Sequence, residues 1–171
     1  MLSRSVHRIL EIGHGYGGEV IFGMVGLGVP SSSLQAVRAA QEFKADAETA
    51  RRTISGQLTE LHKSGKRVAI WGGTGKSAAF ICRHDVDRER FPVVVDSDIA
   101  KVGTFVPGTG QEIRSREYLL ANPVDIVVVP PQWRAADIIL EMKNAGINVE
   151  TVLIEHAGKL IDYRHDDHPY R

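Results

Sequence analysis

The spacing of apolar residues along this chain changes at Gly65. Before that residue, apolar side chains recur every three or four positions, which predicts an amphipathic helix. After it, short runs of consecutive apolar residues alternate with helical patterns, as in buried parallel strands joined by helices. The pattern therefore predicts an α/β protein in which a long helix precedes a parallel sheet.

The helical pattern begins after the serines at positions 31–33, a residue type favoured at N-caps. Its apolar stripe consists of Ala36, Ala40, Phe43, Ala47, Ala50, Ile54, Leu58 and Leu61. Gly65 supplies the expected stop. We predict one long amphipathic helix over 34–61, which makes residues 31–64 a connecting segment. Its alanine-rich stripe favours packing against the sheet, another domain or a second copy of the chain.

The first 30 residues contain seven glycines between positions 13 and 28. Two apolar runs in this segment, 6–12 and 19–25, are predicted as short strands. Neither run has an obvious partner within the segment. We therefore treat residues 1–30 as a short glycine-rich β segment.

Four strands and three helices are predicted after Gly65. The strands are residues 67–71 (RVAIW), 91–95 (FPVVV), 125–129 (DIVVV) and 149–154, and the helices are 75–83, 115–120 and 134–145, with a turn-rich stretch at 101–113. Right-handed crossovers favour the strand order 2-1-3-4. We predict a Rossmann-like, doubly wound parallel sheet over residues 65–156, followed by a polar tail, 157–171, that lies loose on the surface.

The charge balance limits the classes of partner. Lys plus Arg and Asp plus Glu both number 21, so no overall field attracts nucleic acid or an anionic membrane. The single cysteine, Cys82, excludes an internal disulfide and suits a reducing compartment. The sequence also lacks a bilayer-spanning apolar run and a signal-peptide pattern. We expect a soluble cytoplasmic protein, with no nucleic acid or membrane partner, whose anion site is local.

A glycine-rich turn follows the first predicted strand of the sheet. Gly73-x-Gly75-x-x-Ala78 satisfies the dinucleotide-binding fingerprint in its alanine variant, and amides at the start of the next helix favour an anion. Ligands of doubly wound sheets bind where consecutive crossovers depart to opposite sides, which brings the loop after the third strand to this turn. The candidate substrate-binding residues are Gly72, Gly73, Thr74, Gly75, Lys76, Ser77, Asp96, Pro131 and Trp133.

Two interpretations of this turn stay open. Asp96 follows Gly75 by 21 positions and ends the second strand, where a ribose-binding carboxylate belongs, so an NAD-binding oxidoreductase is one alternative. The other is that glycine only allows tight packing between strand and helix, with Asp96 and Asp98 forming a capped turn. A P-loop is excluded, because its first glycine would fall on Ile70.

Two further patterns are weaker. Residues 11–17 (EIGHGYG) are similar to the E-x-G-x-G-x-G motif of S-adenosylmethionine methyltransferases, but that motif needs a helix directly after its glycines and none is predicted. His165 and His168 flank Asp166 and Asp167, which are metal-ligand types. In a chain terminus a solvated polar tail is the simpler interpretation, so we expect no metal site.

Several stretches together resemble the C-terminal domain of the nucleotide-sugar C-methyltransferases, enzymes that methylate deoxysugars attached to a nucleoside diphosphate. The matching residues are 65–76 (GKRVAIWGGTGK), 94–98 (VVDSD), Lys101, Gly103, 107–110 (PGTG), Ile113, 123–125 (PVD) and Trp133. The long helix and Gly17-Gly18-Glu19-Val20 are similar to the junction between that family's middle and last domains. The resemblance covers roughly residues 17–154.

The resemblance implies a substrate-side domain. The family's zinc-binding cysteine cluster and its S-adenosylmethionine-binding middle domain have no counterpart in this sequence. We therefore expect the chain to hold a nucleoside-diphosphate sugar, to bind no cofactor itself and to be inactive alone, with S-adenosylmethionine and the unidentified catalytic residues in the rest of the family enzyme. The alternative is a non-catalytic partner subunit of a methyltransferase, whose 34–61 helix forms a homodimer or docks a methyltransferase partner domain.

Overall fold

The computed structural model describes residues 7–15, 20–27 and 33–171, which divide into two compact units, 1–45 and 46–171. In the first unit, β1 (His7–Gly15) pairs antiparallel with β2 (Val20–Leu27), with a register shift between Ile9 and Glu11. Helix α1 (Ser33–Lys63) begins in this unit and ends in the second. The two strands are therefore each other's partners, which their sequences did not indicate.

The second unit contains a six-stranded sheet. Its strands are β3 (Val68–Trp71), β4 (Val93–Asp96), β5 (Ile113–Ser115), β6 (Ile126–Val129), β7 (Thr151–His156) and β8 (Lys159–Asp162). They are ordered β5-β4-β3-β6-β7-β8, and only β8 runs antiparallel to its neighbour. The predicted α/β class with a largely parallel sheet is confirmed, and the sheet extends one strand beyond the four predicted strands at each edge.

Helices cover both faces of this sheet. They are the C-terminal part of α1, then α2 (Lys76–Arg83), α3 (Tyr118–Ala121) and α4 (Ala135–Asn144). Successive strand residues point to opposite faces, so Ile70 shares a core cluster with Ile54 of α1 and Ile81 of α2. Trp71 shares the other cluster with Ile138 of α4. The central strands β3 and β6 are buried at every residue, which explains their runs of consecutive apolar residues. None of the described helices is long and apolar enough to cross a bilayer.

Strand β5 was missed by the sequence analysis. It lies at the end of the stretch that was interpreted as turns, and it pairs in parallel with β4 at Val94 and Ile113. Its presence also corrects the start of the next helix. The helix was predicted from residue 115, but Ser115 ends β5 and α3 begins at Tyr118.

The expectation of a loose tail is wrong. The backbone N–H and C=O of Leu160 in β8 exchange two hydrogen bonds, of 2.7 and 2.8 Å, with the side-chain amide of Gln57. Tyr163 is 7% and His168 9% exposed. Nε2 of His168 donates to the carbonyl of Tyr163 and Nδ1 accepts from the amide of Tyr170, so neither ring nitrogen is available to a metal. The tail is therefore ordered by β8 and by the buried side chains of Tyr163 and His168, while Arg164, His165, Asp166 and Asp167 remain exposed.

Candidate functional site

A cleft opens at the carboxyl ends of β3 and β6, where the chain leaves the sheet in opposite directions. β3 leads into α2 on one face, whereas β6 leads into α4 on the other. This divergence leaves a crevice in which ligands of open α/β sheets bind. The cleft has a volume of about 380 Å³, and its lining comes from the glycine turn, the segment after β4 and the loop after β6.

The glycine turn is shaped by its own backbone and by packing. Gly72 and Gly75 have positive φ angles of 102° and 57°, a region that L side chains rarely adopt. The amide of Gly72 donates a 2.6 Å hydrogen bond to the carbonyl of Val95. A Cβ on Gly73 would lie 2.2 Å from Cδ1 of Ile113 in β5. Glycine at 73 is therefore required by the neighbouring strand, independently of any ligand.

Asp96 ties the glycine turn to the end of β4. It is 8% exposed, and its Oδ2 accepts a 3.1 Å hydrogen bond from the amide of Gly73. Oδ1 accepts a 3.0 Å bond from the amide of Asp98. Nζ of Lys101 lies 3.5 Å from Oδ2 of Asp96 and 3.6 Å from Oδ2 of Asp98. The carboxylate that was the candidate for ribose recognition thus already orders two loops.

The loop after β6 forms the opposite wall through Pro131 and Arg134. Nζ of Lys76 donates a 2.5 Å hydrogen bond to Oε1 of Gln132 and lies 4.6 Å from the centre of the Trp133 ring. Nε of Arg134 lies 3.5 Å from Oδ2 of Asp137, with both side chains more than half exposed. The guanidinium of Arg134 is therefore available to a ligand at little cost, since exposed ion pairs are weak.

Most of the predicted residues meet at this cleft. Those that line it are Gly72, Thr74, Ser77, Asp96 and Pro131, while Gly73, Gly75, Lys76 and Trp133 belong to the same two loops without lining it. Sequence reasoning missed Ser97 and Arg134 and did not commit to Lys101, all of which line it. Lys101 is one of the residues that carry the family resemblance, and its position a few residues after the predicted second strand places it near Asp96 and Asp98.

The floor of the cleft is held by a chain of polar contacts. Nε1 of the buried Trp71 donates a 3.0 Å hydrogen bond to Oγ of Ser97, and Ser97 donates a 2.8 Å bond to Oε2 of Glu141 in α4. Glu141 also pairs with Arg116. Because the indole N–H is satisfied and the ring is buried, Trp71 fixes the floor and is not a stacking platform.

The family model for the C-methyltransferase C-terminal domain matches residues 31–155 of this chain. The chain belongs to this family. The match covers α1 and the sheet from β3 into β7, and it confirms the resemblance inferred from the sequence. A search of curated proteins found no match.

The glycine motif near the start of the chain does not have the geometry of an S-adenosylmethionine site. Glu11, Gly13 and Gly15 lie in β1, which pairs with β2, so the next described element is an antiparallel strand. A nucleotide site of that type needs a helix directly after the glycines, whose N-terminus faces the ligand. Gly17 lies outside the described residues. Within the described ranges, no three His, Cys, Asp or Glu side chains lie together as a candidate metal site.

Proposed function

We propose that this C-methyltransferase C-terminal domain is the substrate-side part of an S-adenosylmethionine-dependent sugar C-methyltransferase, and that its cleft holds a nucleoside-diphosphate sugar. The observation that carries the proposal is the meeting of three chemically different segments at one cleft in a chain of this family. The cleft volume of about 380 Å³ falls within the range of small-molecule sites.

The charges of the cleft suit a ligand that is anionic at one end and rich in hydroxyls at the other. Lys101 and Arg134 line it as cations. The half-exposed carboxylate of Asp98 lines it beside them, whereas Asp96 is already committed to the two loops. Guanidinium groups bind phosphate oxygens with paired hydrogen bonds, and carboxylates accept from sugar hydroxyls. The amides at the start of α2 add a partial positive charge beside Gly75. A nucleoside-diphosphate sugar carries both kinds of group.

The chemistry of methyl transfer is assigned outside this cleft. The oxygens of Asp96 accept hydrogen bonds from Gly73 and Asp98 and lie beside Lys101, which gives this carboxylate a structural role. A general base must instead reach the proton that it removes from substrate. We therefore assign the cleft to binding and orientation of the sugar nucleotide, with the methyl donor supplied by another domain.

Isothermal titration calorimetry with uridine and thymidine diphosphates, and with inorganic phosphate as the comparison, tests the proposal. Binding of a diphosphate is expected, and Arg134→Ala should weaken it about tenfold, the effect of losing a charge-assisted hydrogen bond. Arg88→Ala is the matched control, because Arg88 is exposed and does not line the cleft. A folded protein that binds no nucleoside diphosphate, or equal affinity in Arg134→Ala and wild type, contradicts the proposal.

The dinucleotide alternative has less support. An NAD-type site needs a carboxylate whose oxygens can accept from the ribose hydroxyls. Asp96 is buried and both of its oxygens already accept backbone hydrogen bonds. Titration with NADH, followed by its fluorescence, should therefore give no saturable change, and a saturable change that Asp96→Asn abolishes would favour the alternative.

A second candidate function is that of a partner subunit, and the exposure of α1 favours it. Residues 36–46 of this helix are all exposed, with Val37 at 50% and Phe43 at 72%. Large apolar side chains on one exposed helix segment are typical of surfaces that pack on another protein. Light scattering coupled to size exclusion should show a dimer, or a complex with a co-expressed methyl-donor domain, that Phe43→Glu dissociates. A monomer that captures no such domain contradicts this candidate.

A further inference from the structure

The last residues of the chain lie against the loop that forms one wall of the cleft. Oη of Tyr170 accepts a 3.3 Å hydrogen bond from Nε2 of Gln132. Oε1 of the same glutamine accepts the 2.5 Å bond from Nζ of Lys76, which sits over the ring of Trp133. One side-chain amide thus connects the C-terminal segment to the first residue of α2 and to the loop after β6.

Tyr170 is itself held from several directions. Its ring packs edge-on against His156 of β7, with centroids 5.6 Å apart, and stacks on His168 at 5.7 Å. Its carbonyl accepts a 2.8 Å bond from the hydroxyl of Tyr163, and its amide donates to Nδ1 of His168. The segment is therefore a fixed part of the second unit, with a rigid base from which the Tyr170 hydroxyl meets Gln132.

We propose that residues 163–171 form a strap that positions the loop Pro131–Trp133, which forms one wall of the cleft, together with the neighbouring Lys76 ammonium, with Tyr170 as the positioning residue. A primary amide donates through nitrogen and accepts through oxygen, so fixing one end of Gln132 fixes the other. Loss of the Tyr170 contact leaves the Gln132 amide free to rotate, and Lys76 then loses an acceptor of fixed direction.

The contacts of Tyr170 distinguish positioning of the loop after β6 from simply covering the β7 edge of the sheet. Strand β8 and the burial of Tyr163 and His168 are sufficient to close the β7 edge of the sheet. The Tyr170 hydroxyl takes no part in that closure, since its contact is with the loop after β6. The strap also lies beyond residue 155, where the family match ends.

The first test uses ligand-free protein. Tyr170→Phe removes the hydroxyl and keeps the ring between His156 and His168. Tyr118→Phe is the matched control, because Tyr118 lies in α3, where its ring packs on Arg114. Two-dimensional NMR should show a shifted indole signal for Trp133 in Tyr170→Phe, and an unchanged one for Trp71, whose N–H is bonded to Ser97. The amide of Arg134, which donates to Pro131, should exchange about threefold to tenfold faster, as expected for losing one net hydrogen bond.

The second test asks whether the strap matters for binding, and here the inference rests on the proposed function. Tyr170→Phe should weaken nucleoside diphosphate binding about threefold, while Tyr118→Phe leaves it unchanged. An unchanged Trp133 signal and unchanged Arg134 exchange overturn the strap, whether or not a diphosphate binds. Equal affinity of wild type and Tyr170→Phe for a diphosphate also overturns its role at the cleft. A loosened loop in a protein that binds no diphosphate supports the strap and contradicts the proposed ligand.

Discussion

The two loops that face each other across the cleft are held in different ways. The glycine turn is fixed locally, by the backbone bond from Gly72 to Val95, the carboxylate of Asp96 and the contact of Gly73 with Ile113. The loop Pro131–Trp133 is held through Gln132 by residues from two distant parts of the chain, Lys76 and Tyr170. One wall of the cleft is therefore part of the sheet's own packing, whereas the other depends on the contacts of one side chain, Gln132, with Lys76 and Tyr170.

The largest effect is expected from breaking the locally fixed wall. Gly73→Ala places a Cβ 2.2 Å from Cδ1 and 2.4 Å from Cγ1 of the buried Ile113. Overpacking of this kind costs about 1–3 kcal/mol, because the core has no free volume to absorb it. Urea denaturation should show a lower free energy of unfolding.

The matched control for that variant is Gly56→Ala in α1, where an added Cβ meets nothing within 4 Å. It should be stabilising by about 0.5–1 kcal/mol, because alanine favours a helix interior more than glycine does. Ile113→Ala removes both clashing atoms, so the double variant should lose less than the two single losses combined. Strict additivity of Gly73→Ala and Ile113→Ala would show that the contact with β5 does not shape the turn.

Loosening β8, which directly precedes the strap, should cost less stability than breaking the glycine turn. Gln57→Ala removes the two hydrogen bonds that hold Leu160 of β8. A loss of about 1–2 kcal/mol in the free energy of unfolding is expected, since both backbone groups of a buried residue lose their partner. Gln41→Ala, at an exposed position of α1, should change the stability by less than about 0.5 kcal/mol. Faster amide exchange confined to β8 and the strap would sharpen the comparison, and a Gln57→Ala protein as stable as wild type would contradict it.

The α2 side and the strap side of the second unit should lose stability in different pH ranges. Burial lowers the pKa of His84 at the end of α2, the charge of Arg83 lowers it further, and a hydrogen bond to the backbone of Arg51 opposes them. The unfolded chain then binds a proton that the folded one does not, so stability falls as the pH drops through the usual histidine value of 6.5 and levels off below the folded pKa. His84→Phe should flatten this slope in denaturation curves between about pH 7.5 and pH 5.5. A variant with the wild-type slope would contradict the assignment.

Near the strap, the stability should depend on pH in a more acidic range. Burial raises the pKa of Asp162, but the hydrogen bond from His165 and the amide of Arg164 outweigh it, so the pKa is below the usual 3.8. The stabilisation by this carboxylate is complete above that usual value and is lost as the pH falls through the folded pKa. Asp162→Asn should therefore flatten only the most acidic part of the stability curve, below about pH 4. Flattening near neutral pH by this variant would remove the distinction between the two sides.

Elements with a clear apolar pattern of their own could be predicted from the sequence, whereas elements held by distant contacts could not. Strands β3, β4, β6 and β7 follow from their consecutive apolar residues, and α1 follows from its period. β5 has three residues, of which only Ile113 is buried, so its pattern is too short to distinguish from a turn. β8 has only two consecutive apolar residues and the strap is mostly polar, so their order comes from contacts with Gln57 and Val152 far away in the sequence.

The residues of the candidate site also divide into those that the local sequence predicts and those that it does not. The glycine turn and Asp96 were predictable because glycine and a strand-ending carboxylate mark a known local geometry. Arg134 and Ser97 were not, since each reaches the cleft only after the helices have packed on the sheet. The role of Gly73 was also beyond the sequence, because the atom that excludes a side chain belongs to Ile113.

Titration of isotope-labelled protein with uridine or thymidine diphosphate, followed by two-dimensional NMR, tests most directly whether this cleft holds a sugar nucleotide. The account predicts saturable shifts of the amides of Thr74, Ser77 and Arg134, with the amides of β8 unmoved. Shifts confined to the groove between α3 and α4, which Leu120 and Leu140 line, or no saturable shift in the folded protein, would contradict it.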